Sequence, residues 1–473
     1  MTGSPLELSE ADFRAMVAHA THEIVRHVAS LPTQTLHATG GGKALARSLR
    51  ESLPETGTSY EQLLTRLVRR IVPRSFNTAS PGYLAYIPGG GLLHSAVADL
   101  VSSAVNRYVG VWVAAPGLAQ LESNVLRWFG EIVGYAGDPK PGGLLTTGGS
   151  MANLIAIVTA RENIVGEDFA RAVIYVSDQA HHSVVKAARF AGFRRDQVSV
   201  VPSDGRFRMD TDALAERLEA DARDGKTPCM IVASAGTTNT GAIDDLPRIA
   251  DLASSRRLWL HVDAAYGGFF ALTSRGKRAM PGLERADSIT LDPHKSLFLP
   301  YGTGALVVRS AETLRRAHAM QASYLPPMQS DDDFTDFCDL GPELSRGFRG
   351  LRVWLPLKMH GAGVFRDALD EKMDLAAHAC DAIRSMPHIE IVAEPELSLF
   401  AFRVGPSAGV TGAALDALNR RVLKKVNARQ RVFLTGTIVR DIFVLRVCVL
   451  SFRTHADRME MFLEDLRDAL SSS

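Results

Sequence analysis

The chain of 473 residues carries 53 lysines and arginines against 52 aspartates and glutamates, a net charge of +1, and 46% of its residues are hydrophobic. That balance gives no electrostatic footing for nucleic acid or an anionic membrane, and the apolar content suffices for a large core divided into two or three domains. The four cysteines, Cys229, Cys338, Cys380 and Cys448, stand far apart, with neither metal-ligand spacing nor the pattern of a disulfide framework, so no metal site and a reducing cytoplasm are expected.

The N-terminus is acidic and amphipathic, unlike a signal peptide, and no apolar run approaches membrane-spanning length. Ser9-Glu10-Ala11-Asp12 reads as a capping box opening a helix to about Leu31, with Phe13, Met16, Val17, Ile24 and Val28 at roughly helical spacing. A second helix opens at Ser59, with Gln62 three residues on, and runs through Leu63, Leu64, Leu67 and Ile71 until Pro73 stops it. Residues 80–91, SPGYLAYIPGGG, read as a loop. The run from Gly142 to Ser150, GGLLTTGGS, leads into the helical pattern Met151 to Val158. Glycines and a hydroxyl at a helix N-terminus leave backbone N–H groups pointing at whatever sits there, and a phosphate suits that place.

From Ala172 the chain alternates. Apolar strands at Ala172 to Val176, Val198 to Val201, Met230 to Ala233 and Leu258 to Val262 are separated by helical patterns such as Asp212 to Ala220. This predicts a mainly parallel sheet with its chemistry at strand ends. His181 follows the first of these strands within SDQAHHS, Ser234 to Gly241 form a polar turn after the third, and Asp263 closes the fourth. Ser288 to Leu291 then delivers Asp292-Pro293-His294-Lys295 into a turn before a strand at Ala305 to Val308. A lysine at the mouth of a sheet is a nucleophile towards an aldehyde where its surroundings lower its pKa; a surface lysine in a turn is the plain alternative. The acidic, aperiodic stretch from Asp331 to Pro342 reads as a mobile loop. Beyond about residue 370, the order is a helix (Phe365 to Arg384), strands (Glu390 to Val392, Ser398 to Val404), a helix (Ala413 to Ala428), strands (Val432 to Gly436, Ile442 to Leu450) and a last helix from His455. That makes a smaller α+β domain.

A phosphate cradle, a strand-end carboxylate and a lysine after a further strand are the handles required by pyridoxal phosphate: one holds the phosphate, one pairs with the pyridine nitrogen, one forms the Schiff base. In order and spacing, SDQAHHSV, HVDAAYGG and DPHK resemble the pyridoxal-phosphate-dependent group II amino-acid decarboxylases, the aromatic-L-amino-acid decarboxylase family, over residues 75 to 450. The resemblance implies an α/β chain of the PLP-dependent transferase fold type I. Its parts would be an N-terminal helical dimerisation segment (1–92), a large PLP-binding domain (93–370) and a small C-terminal domain (371–473), paired as a homodimer with active sites at the interface. Gly148, Gly149 and Ser150 would hold the phosphate, His181 would stack on the ring, Asp263 would meet its nitrogen, Lys295 would carry it, and Thr238, Asp292 and His294 would add contacts. Tyr86, Ile87 and Pro88 match substrate-pocket positions. Thr78, Ile87 and Gly110 stand where relatives carry aromatic residues, which implies a wider, less aromatic pocket. Arg446 matches an arginine that meets the substrate carboxylate in relatives; a surface strand arginine is the alternative.

In the resembled family a mobile loop reaches into the partner's active site with a tyrosine that protonates the substrate carbon after CO2 leaves. Counting back from Arg346 to Trp354, RGFRGLRVW, sets Phe337 at that position. A phenylalanine has no proton to give, and relatives with phenylalanine there let O2 react instead. The expectation is therefore an aldehyde synthase: decarboxylation-coupled oxidative deamination of an L-amino acid, aromatic or bulky and S-substituted, consuming O2 and releasing aldehyde, CO2, NH3 and H2O2. Three readings compete with it. One is simple decarboxylation to the amine, with His181 or Tyr324 giving the proton. Another is β-elimination from an S-substituted cysteine. The third is a cofactor-binding or scaffolding protein without catalysis, against which the joint presence of Lys295, Asp263 and His181 speaks.

Overall fold

The structure, a computed structural model, describes residues 4, 6–38, 40–137, 139–320, 331 and 333–471. Its centre is a seven-stranded sheet in the order β1-β7-β6-β5-β4-β2-β3. The strands are β1 (Gly142–Thr146), β2 (Ala172–Ser177), β3 (Val198–Val201), β4 (Thr227–Ser234), β5 (Trp259–Asp263), β6 (Ser288–Leu291) and β7 (Gly304–Val308). All pairings are parallel except those of β7, which runs antiparallel to β1 and β6. Helices cover both faces, so β2, β5 and β6 are buried at every residue. That is why they read as continuous apolar runs rather than as alternating ones.

A second sheet is antiparallel, in the order β10-β11-β9-β8, built from β8 (Ile389–Ala393), β9 (Leu399–Val404), β10 (Thr435–Val439) and β11 (Ile442–Cys448). Helices Gly412–Ala428 and Ala456–Ser471 pack on it, together with the end of the helical stretch Gly350–Arg384, whose break at Gly361 (φ 73°, ψ 159°) divides it in two. β10 lies three residues later than the sequence pattern placed it. The apolar run Val432 to Leu434 is buried as a linker instead: Phe433 is paired with Tyr83 and packed against His37 and Phe76.

The N-terminal helix is Glu10–Ser30, with Ser9 accepting the Asp12 N–H at 3.1 Å as its cap. Its one buried side chain is a carboxylate, Glu23, bridged by Arg26 and Arg69 at 2.8 Å each. The second predicted helix is Tyr60–Arg66, followed by the wider turn Leu67–Ile71 and the tight turn Val72–Arg74. Among the described residues no helix is long and apolar enough to cross a membrane.

Candidate active site

Registry places the site. Ser234 lies opposite Asp263, and Asp263 opposite Thr290, so the C-terminal ends of β4, β5 and β6 finish side by side. The chain leaves these ends in loops, the usual place for chemistry in a parallel sheet. On the same edge, β1 ends where Gly148 (φ 153°) turns the chain into helix Gly149–Ile164, whose N-terminus faces the strand ends. Together these elements enclose a cavity of about 330 Å³.

Every residue assigned to the cofactor lines that cavity: Gly148, Gly149, Ser150, His181, Thr238, Asp263, Asp292, His294 and Lys295. The Lys295 ammonium lies 3.0 Å from Asp292 Oδ2. Burial works against its charge, but Asp292 and then Asp263 outweigh burial and hold Lys295 above its usual pKa. The sequence suggested the opposite sign, because the second carboxylate, Asp292, was not weighed there as an ion-pair partner. Asp292 is 2% exposed, and its Oδ1 is buried with no hydrogen-bond partner among the described residues. Such an atom calls for a donor in the cavity. Asp263 receives the Ala265 N–H on Oδ1 at 3.2 Å and the Asn153 amide on Oδ2 at 3.0 Å. His181 Nδ1 accepts the Ser183 N–H at 3.3 Å and lies 2.7 Å from Ser183 Oγ. Burial depresses both His181 and His294, keeping them neutral, and His294 donates from Nδ1 to the Thr303 carbonyl at 2.6 Å.

A planar, anionic cofactor fits this cavity. A Cβ at Gly149 would stand 3.0 Å from Asp292 Oδ2 and 3.3 Å from the Ala265 side chain, and one at Gly148 would stand 3.3 Å from the His294 ring. Glycine keeps the helix N-terminus open to a phosphate there. Lys295 supplies an amine and Asp263 a carboxylate to the lining of the same cavity.

The substrate-side residues are placed differently. Tyr86 (φ 52°) is half exposed, Ile87 is half-buried and Pro88 is buried, all on a loop held against the lysine turn; none of them lines the cavity. Gly89 makes that closeness possible, because any Cβ there would run into the His294 carbonyl. Arg446 is neither a surface residue nor a lining one. It is 4% exposed and donates to the Thr238 carbonyl, to the Asn239 carbonyl at 3.0 Å and to Thr435 Oγ1 at 3.1 Å, tying the small sheet to the loop after β4. Gly110 does not leave a gap, because the Tyr108 ring occupies the place a side chain there would take.

Phe337 is not brought to the cavity of its own chain: it is 1% exposed in the core of the large domain, with the Arg346 guanidinium 4.7 Å from its ring centre. The stretch read as a mobile loop is docked from Asp333 on. Phe334 stacks on Trp112 (ring centres 4.2 Å apart), Asp336 accepts the Trp112 N–H at 2.6 Å, and the Cys338 N–H donates to the Gly110 carbonyl at 3.0 Å. Aromatic side chains inside an acidic sequence anchor it, which composition alone obscured. Tyr324 lies outside the described residues. Cavity-lining residues the sequence reading passed over include Asn153, Ser183, Thr237 and Tyr266. Asn153 did leave a signal, a lone amide in the apolar helical run MANLIAIV. Among the described residues no cluster of three or more histidines, cysteines or carboxylates could hold a metal.

The family model described as "Pyridoxal-dependent decarboxylase conserved domain" matches residues 43–405. An aromatic-L-amino-acid decarboxylase of Bacillus atrophaeus is 33% identical over 455 residues, 96% of this chain and 94% of that protein. The crystal structure of Oryza sativa TDC with PLP and tryptamine superposes with a TM-score of 0.94 at 26% identity, covering 100% of this chain and 99% of that one. The structure of Rhodiola rosea 4-hydroxyphenylacetaldehyde synthase, with a TM-score of 0.90 at 23% identity over 99% of each chain, shares the fold.

Proposed function

This chain belongs to the pyridoxal-dependent decarboxylase family, its cofactor is pyridoxal 5'-phosphate, and from that premise we propose that it converts an L-aromatic amino acid to the corresponding amine and CO2. The observation that carries the reading is the convergence of Lys295, Asp263 and His181 on one cavity beside a helix N-terminus. When bound, the cofactor accepts through its ring the electron pair that departing CO2 leaves on the substrate carbon. Lys295 would carry the cofactor, and its free ammonium pairs with Asp292 at 3.0 Å. Asp263 would hold a proton at the ring nitrogen, and Asn153 and the Ala265 N–H orient its carboxylate. His181 lines the cavity, where burial lowers its pKa, and would stack against the cofactor ring.

Replacing CO2 by a proton requires a donor. Phe337 has no proton to give, and its ring lies in the core rather than at this cavity, which favours a donor from another position. The donors weighed for the amine-forming reaction are His181, which lines the cavity, and Tyr324. Separate His181→Phe and Tyr324→Phe variants distinguish them: the donor is the one whose loss shifts product away from amine. The reading is tested by incubating the purified protein with a panel of L-amino acids and following CO2. Release from an aromatic substrate supports it; pyruvate formation with CO2 retained would replace it with β-elimination.

A second copy of this chain completes the assembly in this reading. Helix Leu93–Val105 presents Leu93, Val97, Leu100, Val101 and Val105 on one face, each between 38% and 55% exposed. An apolar stripe of that width is a surface for burial against another protein. Phe13, Ile24 and Val25 are likewise exposed on the N-terminal helix.

A further inference from the structure

Behind the cavity runs a chain of hydrogen bonds whose direction can be worked out from groups that can act in only one way. The Trp259 indole N–H can only donate, and it does so to Ser288 Oγ at 2.8 Å; Ser288 Oγ lies 2.8 Å from His261 Nδ1. His261 Nε2 lies 3.1 Å from Asn153 Oδ1, to which Thr290 also donates at 2.7 Å. At the other end the Ser183 backbone N–H can only donate, so His181 Nδ1, 3.3 Å away, is an acceptor and the ring proton is on Nε2. Between them the Asp263 carboxylate accepts from Asn153 Nδ2 at 3.0 Å, and the same nitrogen meets Ser183 Oγ at 3.1 Å.

Only one assignment satisfies every member. Turning the Asn153 amide over would set its oxygen against the Asp263 carboxylate, so both Nδ2 hydrogens point towards Asp263 and Ser183. Ser183 Oγ, occupied as an acceptor, sends its own proton to His181 Nδ1 at 2.7 Å. All of these side chains except His181 are at most 9% exposed, and burial pushes His261 down to about 4, which keeps it neutral. Water does not compete for these bonds, and a missing member leaves its neighbours without partners.

We propose that Asn153 is a positioning residue that aims the Asp263 carboxylate and, through Ser183, holds His181 as the Nε2–H tautomer on the face of the cavity. The inference rests on the cofactor reading above for its purpose, though not for its geometry. Without Asn153, Ser183 Oγ and the Asp263 carboxylate lose the amide they share, and a rotated Ser183 hydroxyl can turn from the neutral imidazole towards the carboxylate. A charge-assisted bond is about twice as strong as a neutral one, so the proton turns to Asp263 and His181 keeps only the longer backbone bond.

The test uses [15N]histidine-labelled full-length protein, before and after loading with pyridoxal 5'-phosphate. The His181 signals are identified by their loss in His181→Gln. The wild-type protein should show one tautomer, unprotonated at Nδ1. Asn153→Leu and Ser183→Ala leave only the 3.3 Å Ser183 N–H at Nδ1, so a minor population of the other tautomer should appear in both beside the main one, and Ser183→Thr, which keeps the hydroxyl, should match wild type. The cofactor dissociation constant should rise about tenfold in Asn153→Leu, as expected for loss of a hydrogen bond to a charged group. If Asn153→Leu does not fold, the Ser183→Ala and Ser183→Thr pair decides. A single Nε2–H tautomer persisting in Ser183→Ala, or in a folded Asn153→Leu, overturns the proposal. A tautomer shift in a protein that releases no CO2 from any amino acid would uphold it and sink the decarboxylase reading instead.

Discussion

Lys295 is paired with Asp292 at 3.0 Å in the cavity, and that place defines what its loss should do. Lys295→Ala should remove the covalent attachment and lower turnover by about a thousandfold or more. The protein should still take up cofactor through the helix N-terminus and Asp263, read as retained but dialysable pyridoxal phosphate. Phe337 makes the opposite kind of prediction. Phe337→Tyr puts a hydroxyl into a core where the ring is 1% exposed, at a cost of about 1–3 kcal/mol. Denaturant melts should report that loss, and the ratio of amine to aldehyde should not move. A shift in that ratio would return Phe337 to the reaction.

At the scale of the element, the N-terminus of helix Gly149–Ile164 is the most exacting piece. Gly149→Ala places a methyl 3.0 Å from Asp292 Oδ2 and should weaken cofactor binding about tenfold, measured by titrating the cofactor-free protein. The lead into this helix also shows where sequence stops being readable. The stretch GGLLT reads only as the lead into a helix N-terminus, yet it forms β1. Both of its glycines are demanded by neighbours, Gly142 by Ala311 and Gly143 by the β7 backbone, and glycine used for close approach looks like glycine used for a turn. The parallel strands were legible because burial on both faces wrote them as apolar runs, and the cofactor residues because short motifs follow those strands directly. Arg446, Gly110 and Phe337 were matched by position along the chain. Position does not reveal that Arg446 is occupied by carbonyls, that Tyr108 fills the space at Gly110, or that Phe337 is packed under Arg346.

Across the whole molecule, buried neutral histidines set the response to acid. Burial depresses His261 from 6.5 to about 4, and His181, His294 and His318 also lie below their usual value. The unfolded chain takes up these protons first, so their contribution to stability is complete above pH 6.5 and drains away as pH falls towards 4. For His261 alone this amounts to on the order of 3 kcal/mol. Urea midpoints should fall over that window, and His261→Gln should flatten the slope. Assembly gives a separate expectation. Val97→Asp with Val101→Asp, on the exposed face of helix Leu93–Val105, should yield a folded monomer by sedimentation with most activity lost.

The carbon that loses CO2 decides between amine and aldehyde. Amine and CO2 should be quantified together from the preferred L-amino acid, in air and under strict anaerobiosis. The prediction is one amine per CO2 at the same rate in both, with no peroxide. Aldehyde and peroxide in air, with turnover collapsing once oxygen is removed, would contradict it.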